Sequence, residues 1–290
     1  GAAGNTAAET LRREGFDGNI KLVSKEKDIP YDRPNLSKDY MTGEAKPDWI
    51  PLRDTQFYRN NSIDLLLEHE VREVITAEKK VVFGDGRRLD YDKLLIATGG
   101  IPRSLDLPGS SLEKVYLLRS LSDAQNILKG LDGVESVGII GAGFIGMEAA
   151  SSLASRELDV HVIAPEEFPM MAAFGKTAGK WFKRLHEKHN VNFHLGTTAQ
   201  SIQGKKSVES VRLSNGETIS VQCVIMGLGI KPAISFIENT PMVENGAVRV
   251  NERLETAVED IYAAGDIALL KHPLTGEDQR VEHWAVAERQ

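Results

Sequence analysis

A short apolar run, Val137-Gly138-Ile139-Ile140, leads directly into Gly141-Ala142-Gly143-Phe144-Ile145-Gly146. An Ala- and Leu-rich stretch follows, then Val160-His161-Val162-Ile163 and an acidic pair, Glu166-Glu167. Strand, glycine turn, helix, strand and acid in that order make a dinucleotide-binding unit, where a glycine triplet alone is a weak signal. Each glycine has its own reason. Gly141 makes the tight turn, Gly143 lets the backbone approach a pyrophosphate, and Gly146 allows close helix–strand packing. The free N–H groups and positive dipole at the helix start then receive the pyrophosphate.

The chain carries this plan twice. Gly1 stands where Gly143 stands and Gly4 where Gly146 stands, and the helix, the strand at residues 20–23 and the acid Glu26 arrive on schedule. The strand and first glycine expected before Gly1 are not in the sequence, so the expectation is a fragment of a longer protein, continued by a further domain after Gln290. The duplication extends to "VVFGDGRRLDYDKLLIATGGIP" and "VRLSNGETISVQCVIMGLGIKP". Asp85-Gly86 and Asn215-Gly216 are hairpin signals, read here as two-residue turns. Gly86 precedes Gly99 by thirteen residues, as Gly216 precedes Gly229. The fold class expected is α/β, with two duplicated Rossmann-like dinucleotide-binding domains, the second inserted in the first. Residues 1–116 and 233–290 form the first domain and 117–232 the second.

Composition excludes several function classes. No apolar stretch approaches the roughly 20 residues of a membrane-spanning helix. A net charge of −7 without a long basic run sets nucleic acid aside. The single cysteine, Cys223, lies in the apolar run 221–226 and reads as a buried strand residue. With no CxxC or CxxxxC pair, structural zinc and dithiol redox chemistry are not expected within these residues. The histidines lack ligand spacing. His186 and His189 read as the solvated face of a helix over 176–188, so no metal is expected.

Two dinucleotide units imply two dinucleotides, most usefully a flavin and a nicotinamide. Between its fingerprint and its hairpin the first copy holds 82 residues (Gly4 to Gly86) and the second 70 (Gly146 to Gly216). The surplus falls in "KDIPYDRPNLSKDYMTGEAKPDW", where Pro30, Pro34 and Pro47 interrupt any long helix. Such an extra segment points to the larger, more buried cofactor, FAD, in the first domain, or to a surface elaboration. In the second domain Glu166 favours NADH over NADPH, because an acid there binds ribose hydroxyls and repels a 2′-phosphate. Ala164 and Pro165 intervene between the strand and that acid. Phe144, a large ring inside a glycine turn, reads as a nicotinamide gate or as plain packing.

At "PYDRPNLSK" (residues 30–38), "LLIATGGIPR", "GAGFIGMEAA", "GLGIKP", "IYAAGDIA" and "VEHWAVAERQ" the chain resembles a known family over its whole length. It is similar to the flavin-dependent pyridine-nucleotide oxidoreductases of the glutathione-reductase fold, in the ferredoxin-reductase and apoptosis-inducing-factor branch. Within that branch the likeness is greatest to the variant bearing an N-terminal Rieske iron–sulfur domain. The disulfide-reducing members carry two cysteines near the flavin, and none are present here. The resemblance implies that Gly1, Ala2 and Gly4 hold the FAD pyrophosphate and Glu26 its adenosine ribose. It places Val71 by the adenine, Arg33 and Lys38 by the flavin, and Arg119 and Asp266 on the FAD. Glu282, His283 and Trp284 would close the isoalloxazine pocket. Gly141, Gly143, Phe144, Ile145, Gly146, Glu166 and Gly229 would bind NADH. Lys38, near flavin N5, would pair with Glu148, and these two are the expected catalytic residues.

The function the resemblance implies is hydride transfer from NADH to FAD, then electron delivery to an iron–sulfur acceptor, either a separate protein or a further domain of the full-length chain. The alternative is a redox-sensing interaction protein with slow NADH oxidation; a peroxide-forming NADH oxidase is the weaker third. The expected compartment is cytoplasmic, or mitochondrial in a eukaryote. Oligomeric state and the identity of the acceptor have no signal in the sequence.

Overall fold

The computed structural model describes residues 1–290, which divide into two compact units. One comprises Gly1–Asp32, Pro51–Ile101 and Pro232–Gln290; the other comprises Arg33–Ile50 and Pro102–Lys231. The second unit is therefore inserted in the first, as the repeat implies. Its extent differs from the expected 117–232. Leu117 ends the edge strand Val115–Leu117, which pairs in parallel with Cys223–Met226 and so belongs to the inserted sheet. Upstream of it, Gly109 (φ +87°) lies so close to the Ile202 carbonyl that a Cβ would stand 1.9 Å from the oxygen. Arg33–Ile50 also groups with the second unit rather than the first.

The second unit is built on a five-stranded parallel sheet in the order Val191–Leu195, Asp159–Ala164, Ser136–Ile140, Cys223–Met226, Val115–Leu117. The three inner strands consist of near-continuous buried apolar residues, as expected of a parallel sheet covered on both faces. Strand order reverses about Ser136–Ile140, whose carboxyl end is thus the switch point where ligands bind in such sheets. Cys223 is buried in the inner strand Cys223–Met226, and burial pushes its thiol up to about 12.

The first unit repeats parts of this plan. Ile20–Val23 pairs in parallel with Ile63–Leu66, and Leu94–Ile96 with Ile261–Ala263. Each unit also holds a three-stranded antiparallel meander: Val71–Ile75, Lys80–Phe83 and Arg88–Asp90 in the first, Ala199–Gln203, Ser210–Leu213 and Thr218–Ser220 in the second. The hairpin turns in the two meanders are alike, but they are three-residue loops rather than the expected two-residue turns. Gly86 N–H donates to the Phe83 carbonyl at 3.0 Å and Phe83 N–H to the Arg87 carbonyl at 2.9 Å. Gly216 N–H donates to Leu213 at 3.0 Å and Leu213 N–H to Glu217 at 2.8 Å. The glycine of each Asp-Gly or Asn-Gly supplies the single left-handed residue (φ +84° and +90°) that follows a type I turn. Thirteen residues on, Gly99 and Gly229 are again both left-handed, at +65° and +80°.

The helix expected over 176–188 starts one turn earlier, as Met171–Glu187, with a non-helical Gly175 at φ +75°, ψ 178°. His186 is half-buried on it: its Nδ1 lies 2.9 Å from the Phe182 carbonyl and its ring meets Phe193 edge-on. His161 and His194, 33 residues apart, sit on adjacent strands with His161 Nδ1 and His194 Nε2 at 3.0 Å. Glu217 stands 3.5 Å from the other His194 nitrogen and Asp159 3.1 Å from the other His161 nitrogen. Burial, with His161 alongside and Glu217 opposing, holds His194 below the ordinary histidine range. The folded state therefore favours the neutral ring. Below the ordinary value near 6.5 the unfolded chain takes up a proton that the folded chain does not, and stability falls with pH. Thermal melts between pH 7.5 and 5.5 should show a declining midpoint, and His194→Gln should flatten that decline.

Candidate dinucleotide sites

The second glycine turn is built by close backbone approach. Gly141 is at φ +111°, and a Cβ there would stand 2.4 Å from the Gly227 carbonyl oxygen. A Cβ on Gly146 would stand 2.1 Å from the Gly141 oxygen. Both glycines are thus demanded by the protein's own packing. Gly143 is not: it caps the helix Phe144–Ala154 at φ −84°, and a Cβ there would meet nothing within 4 Å. A glycine that the protein itself does not require fits a cradle for a group from outside, such as a pyrophosphate on the helix N-terminus.

The counterpart in the first unit is the helix Ala2–Arg13, capped by Gly1. A Cβ on Gly4 would meet the Ala97 Cβ at 3.6 Å, and one on Gly1 would meet nothing. Ala97 stands eleven residues after Gly86, as Gly227 stands eleven after Gly216, so the close helix–strand approach recurs in register. A Cβ on Gly265, which is at φ +75°, would stand 3.6 Å from the Cβ atoms of Ala3 and Ala287. These residues fit the same kind of cradle. Glu26, past the end of the strand Ile20–Val23, accepts a hydrogen bond from the buried Tyr31 hydroxyl at 2.5 Å, which orients its carboxylate.

The remaining residues expected on the FAD in this unit are placed as follows. Val71 opens the strand Val71–Ile75 and packs at the margin of a core containing Phe83 and Met242. Asp266 is half-buried in the one-turn helix Gly265–Ile267, and its carbonyl accepts from Arg280 Nη1 at 2.8 Å. Glu282 is exposed and paired with Arg280 at 2.5 Å. His283 caps the short helix Trp284–Arg289, its ring accepting from Ala285 N–H at 3.2 Å, and Trp284 is half-buried.

In the second unit a single cleft is lined by Arg33, Ser37, Arg119, Ile145, Leu228 and Gly229. Four of the expected residues, Arg33, Arg119, Ile145 and Gly229, thus converge from four distant stretches. The segment "RPNLSK" folds as a one-turn helix, Arg33–Ser37, followed by Asp39–Thr42. Arg33 Nη1 donates to the Arg119 carbonyl at 2.5 Å. Lys38 Nζ lies 3.0 Å from Glu148 Oε1, with the two side chains 48% and 29% exposed. An ion pair that open contributes at most about 1 kcal/mol to stability. Glu148 Oε2 accepts from the buried Ser37 hydroxyl at 2.6 Å. One turn on, the Ser152 hydroxyl donates to the Ser37 carbonyl at 2.7 Å. Arg156 Nη1 donates to the Thr42 carbonyl at 3.0 Å. These bonds join the segment to the fingerprint helix and its end, within the unit to which Arg33–Ile50 belongs.

Ser37, Ser152, Arg156 and Gly227 were not among the residues singled out from sequence. The available signals were a polar residue four positions after Glu148, hence on one helix face, and the eleven-residue register of Gly227. Of the two acids after the strand Asp159–Ala164, Glu167 pairs with Lys176 at 2.7 Å. Glu166 is exposed, its carbonyl accepts from Gly196 N–H at 3.2 Å, and its carboxylate makes no ion pair or hydrogen bond. Phe144, the first residue of its helix, is exposed as well. No helix is long and apolar enough to cross a membrane.

The family model for pyridine nucleotide-disulphide oxidoreductases matches residues 1–290. Human apoptosis-inducing factor 3 is 34% identical over 296 residues, covering 100% of this chain and 48% of that protein. The chain thus spans about half the length of this relative. The ferredoxin–NAD(+) reductase component of the 3-phenylpropionate/cinnamic acid dioxygenase of Photorhabdus laumondii is 34% identical over 291 residues, covering 100% of this chain and 73% of that one. Among solved structures, a ferredoxin reductase from Rhodopseudomonas palustris superposes with a TM-score of 0.94 at 30% identity, covering 99% of this chain and 71% of that one.

The two glycines of one turn should behave differently when changed. Gly146→Ala forces a Cβ onto a backbone oxygen and should cost about 1–3 kcal/mol of stability, read from a denaturant melt. Gly143→Ala should melt as the parent does while binding of NAD+, followed by calorimetry, is lost or greatly weakened.

Proposed function

This chain belongs to the pyridine nucleotide-disulphide oxidoreductase family, and from that premise we propose that it is the dinucleotide-handling part of an FAD-dependent reductase that draws electrons from NADH for an iron–sulfur acceptor. With both cofactors bound, the chemistry supplied there would be hydride transfer from nicotinamide to flavin and single-electron delivery to the acceptor. The observation that carries the reading is Gly143, a helix-capping glycine that the protein's own packing does not require.

The chain's own residues then have the following roles. Gly1, Ala2 and Gly4 present backbone to the FAD pyrophosphate, and Glu26, held by Tyr31, accepts from its ribose. Gly143 and the helix behind it hold the NADH pyrophosphate. Glu166, whose carboxylate is not engaged elsewhere, accepts from the ribose hydroxyls, and its charge disfavours the 2′-phosphate of NADPH. Lys38 supplies a positive charge that offsets the negative charge of the reduced flavin. Glu148 holds the Lys38 ammonium with one oxygen and the Ser37 hydroxyl with the other, which fixes the lysine's position. The only cysteine in these residues is buried with its thiol pushed up to about 12, which supports outward electron delivery over a dithiol relay.

A second reading, a redox-responsive interaction protein with slow NADH oxidation, draws on the 34% identity to human apoptosis-inducing factor 3. Anaerobic rapid mixing of the full-length, FAD-loaded protein with NADH separates the two. Fast flavin bleaching, then fast reoxidation by a ferredoxin, is the expected result; slow bleaching to a persistent long-wavelength species that ferredoxin does not discharge selects the second reading. Lys38→Ala should slow bleaching at least about 10-fold, in line with the loss of one preorganised charge. Unchanged bleaching would remove Lys38 from the mechanism.

A further inference from the structure

Two large aromatic rings stand half in water beside the second glycine turn. Phe144 is 54% exposed and Phe174 52% exposed. They meet edge-to-face with centroids 5.6 Å apart, and Phe174 also contacts Phe182 at 5.9 Å. Exposed apolar groups gathered at one place mark a binding surface more often than chance solvent exposure does.

The backbone that carries Phe174 is unusual at both ends. Met170 is left-handed at φ +59°, its side chain is buried, and its N–H donates to the carbonyl of Ala142 inside the glycine turn at 2.9 Å. Gly175, at φ +75° and ψ 178°, occupies a region essentially reserved for glycine. Beyond it the helix is pinned, since a Cβ on Gly179 would stand 2.7 Å from the Phe168 Cβ and 2.9 Å from the Pro169 carbonyl oxygen. Between these two fixed points lies one short helical turn, 171–174, with no fully buried side chain. One end of that turn is therefore tied to the residue next to Gly143, and its last side chain faces Phe144.

We infer that Phe174 is a positioning residue, and that the turn between Met170 and Gly175 brings it down with Phe144 as an aromatic clamp on a bound pyridine dinucleotide. The inference rests on the NADH reading of this unit. The clamp supplies what the glycine turn lacks: Gly143 offers only backbone, whereas two aromatic rings offer apolar contact and exclude water from the ligand. Gly175, at φ +75° and ψ 178°, is where the backbone changes direction between this turn and the pinned helix. A Cβ at that position would meet nothing within 4 Å, so Gly175→Ala alters backbone conformation alone.

The test is made on the full-length, FAD-loaded protein with NAD+ as the probe, by titration calorimetry and by amide hydrogen exchange over residues 170–175. Phe174→Ala and Gly175→Ala should each weaken NAD+ binding about 3- to 10-fold, the size of one lost aromatic contact, and Phe174→Tyr should restore it. In the unaltered protein NAD+ should slow exchange across 170–175. Trp181→Ala, an exposed residue on the pinned helix, should bind as the parent does. Parent-like affinity in both the Phe174→Ala and Gly175→Ala variants overturns the clamp while leaving the NADH reading standing. Weakened affinity without any change in exchange makes Phe174 a fixed wall and overturns the closure. Failure of the unaltered protein to bind NAD+ overturns both readings.

Discussion

Backbone packs directly against backbone at the carboxyl end of the strand Ser136–Ile140. A Cβ on Gly141, Gly146 or Gly227 would come within 3.0 Å of main-chain atoms of another glycine in the trio. That approach lets the helix Phe144–Ala154 start immediately above the sheet, with Gly143 as its cap. It also puts the free N–H groups of the first turn at the point where strand order reverses. Side chains at these positions would push the helix away and leave those N–H groups aimed elsewhere. A looser form recurs in the first unit, where a Cβ on Gly4 would stand 3.6 Å from the Ala97 Cβ. Duplication has thus kept the register of the helix–strand approach while loosening its distance.

From this fixed helix a polar tether reaches a stretch of chain more than a hundred residues earlier. Glu148 and Ser152, one turn apart, engage Ser37 through its hydroxyl and its carbonyl respectively. The half-exposed Lys38 is held through Glu148, and Arg33 is held through the carbonyl of Arg119. Each bond is modest, but together they convert a proline-punctuated loop into a platform for two cations. A carboxylate partner braced by a second donor, the Ser37 hydroxyl, places the Lys38 ammonium accurately.

The repeat, the parallel strands and the glycine turns were legible from the sequence because they depend on local rules. Apolar runs of four or five residues, glycines with a positive φ, and acids after a strand are written in neighbouring positions. The strand expected at residues 20–23 is found as Ile20–Val23, and Cys223 is buried in an inner strand as its surroundings implied. The hairpins are more instructive. Asp-Gly and Asn-Gly correctly marked both turns, yet the glycine serves as the single left-handed residue of a three-residue loop. The dipeptide specifies that a left-handed residue is needed, and the strand register decides where it falls.

Other features depend on residues that meet only after folding. The 33–50 segment reads as an elaboration of the first domain, yet it groups with the second unit, where Glu148 accepts from Ser37 while Ser152 and Arg156 donate to Ser37 and Thr42. His161 and His194 have no ligand-like spacing, yet parallel strand pairing sets their rings at hydrogen-bond distance. The aromatic pair of Phe144 and Phe174 is likewise invisible in a linear reading, being separated by a helix and a strand. By itself the sequence determined the family, the duplicated α/β plan and the glycines that shape each turn, because these follow from backbone sterics and short-range periodicity. Only the tertiary structure decided which side chains orient Lys38, where the inserted unit begins, and that Phe174 faces the glycine turn. Those are matters of distance between residues remote in the chain, and no local rule encodes them.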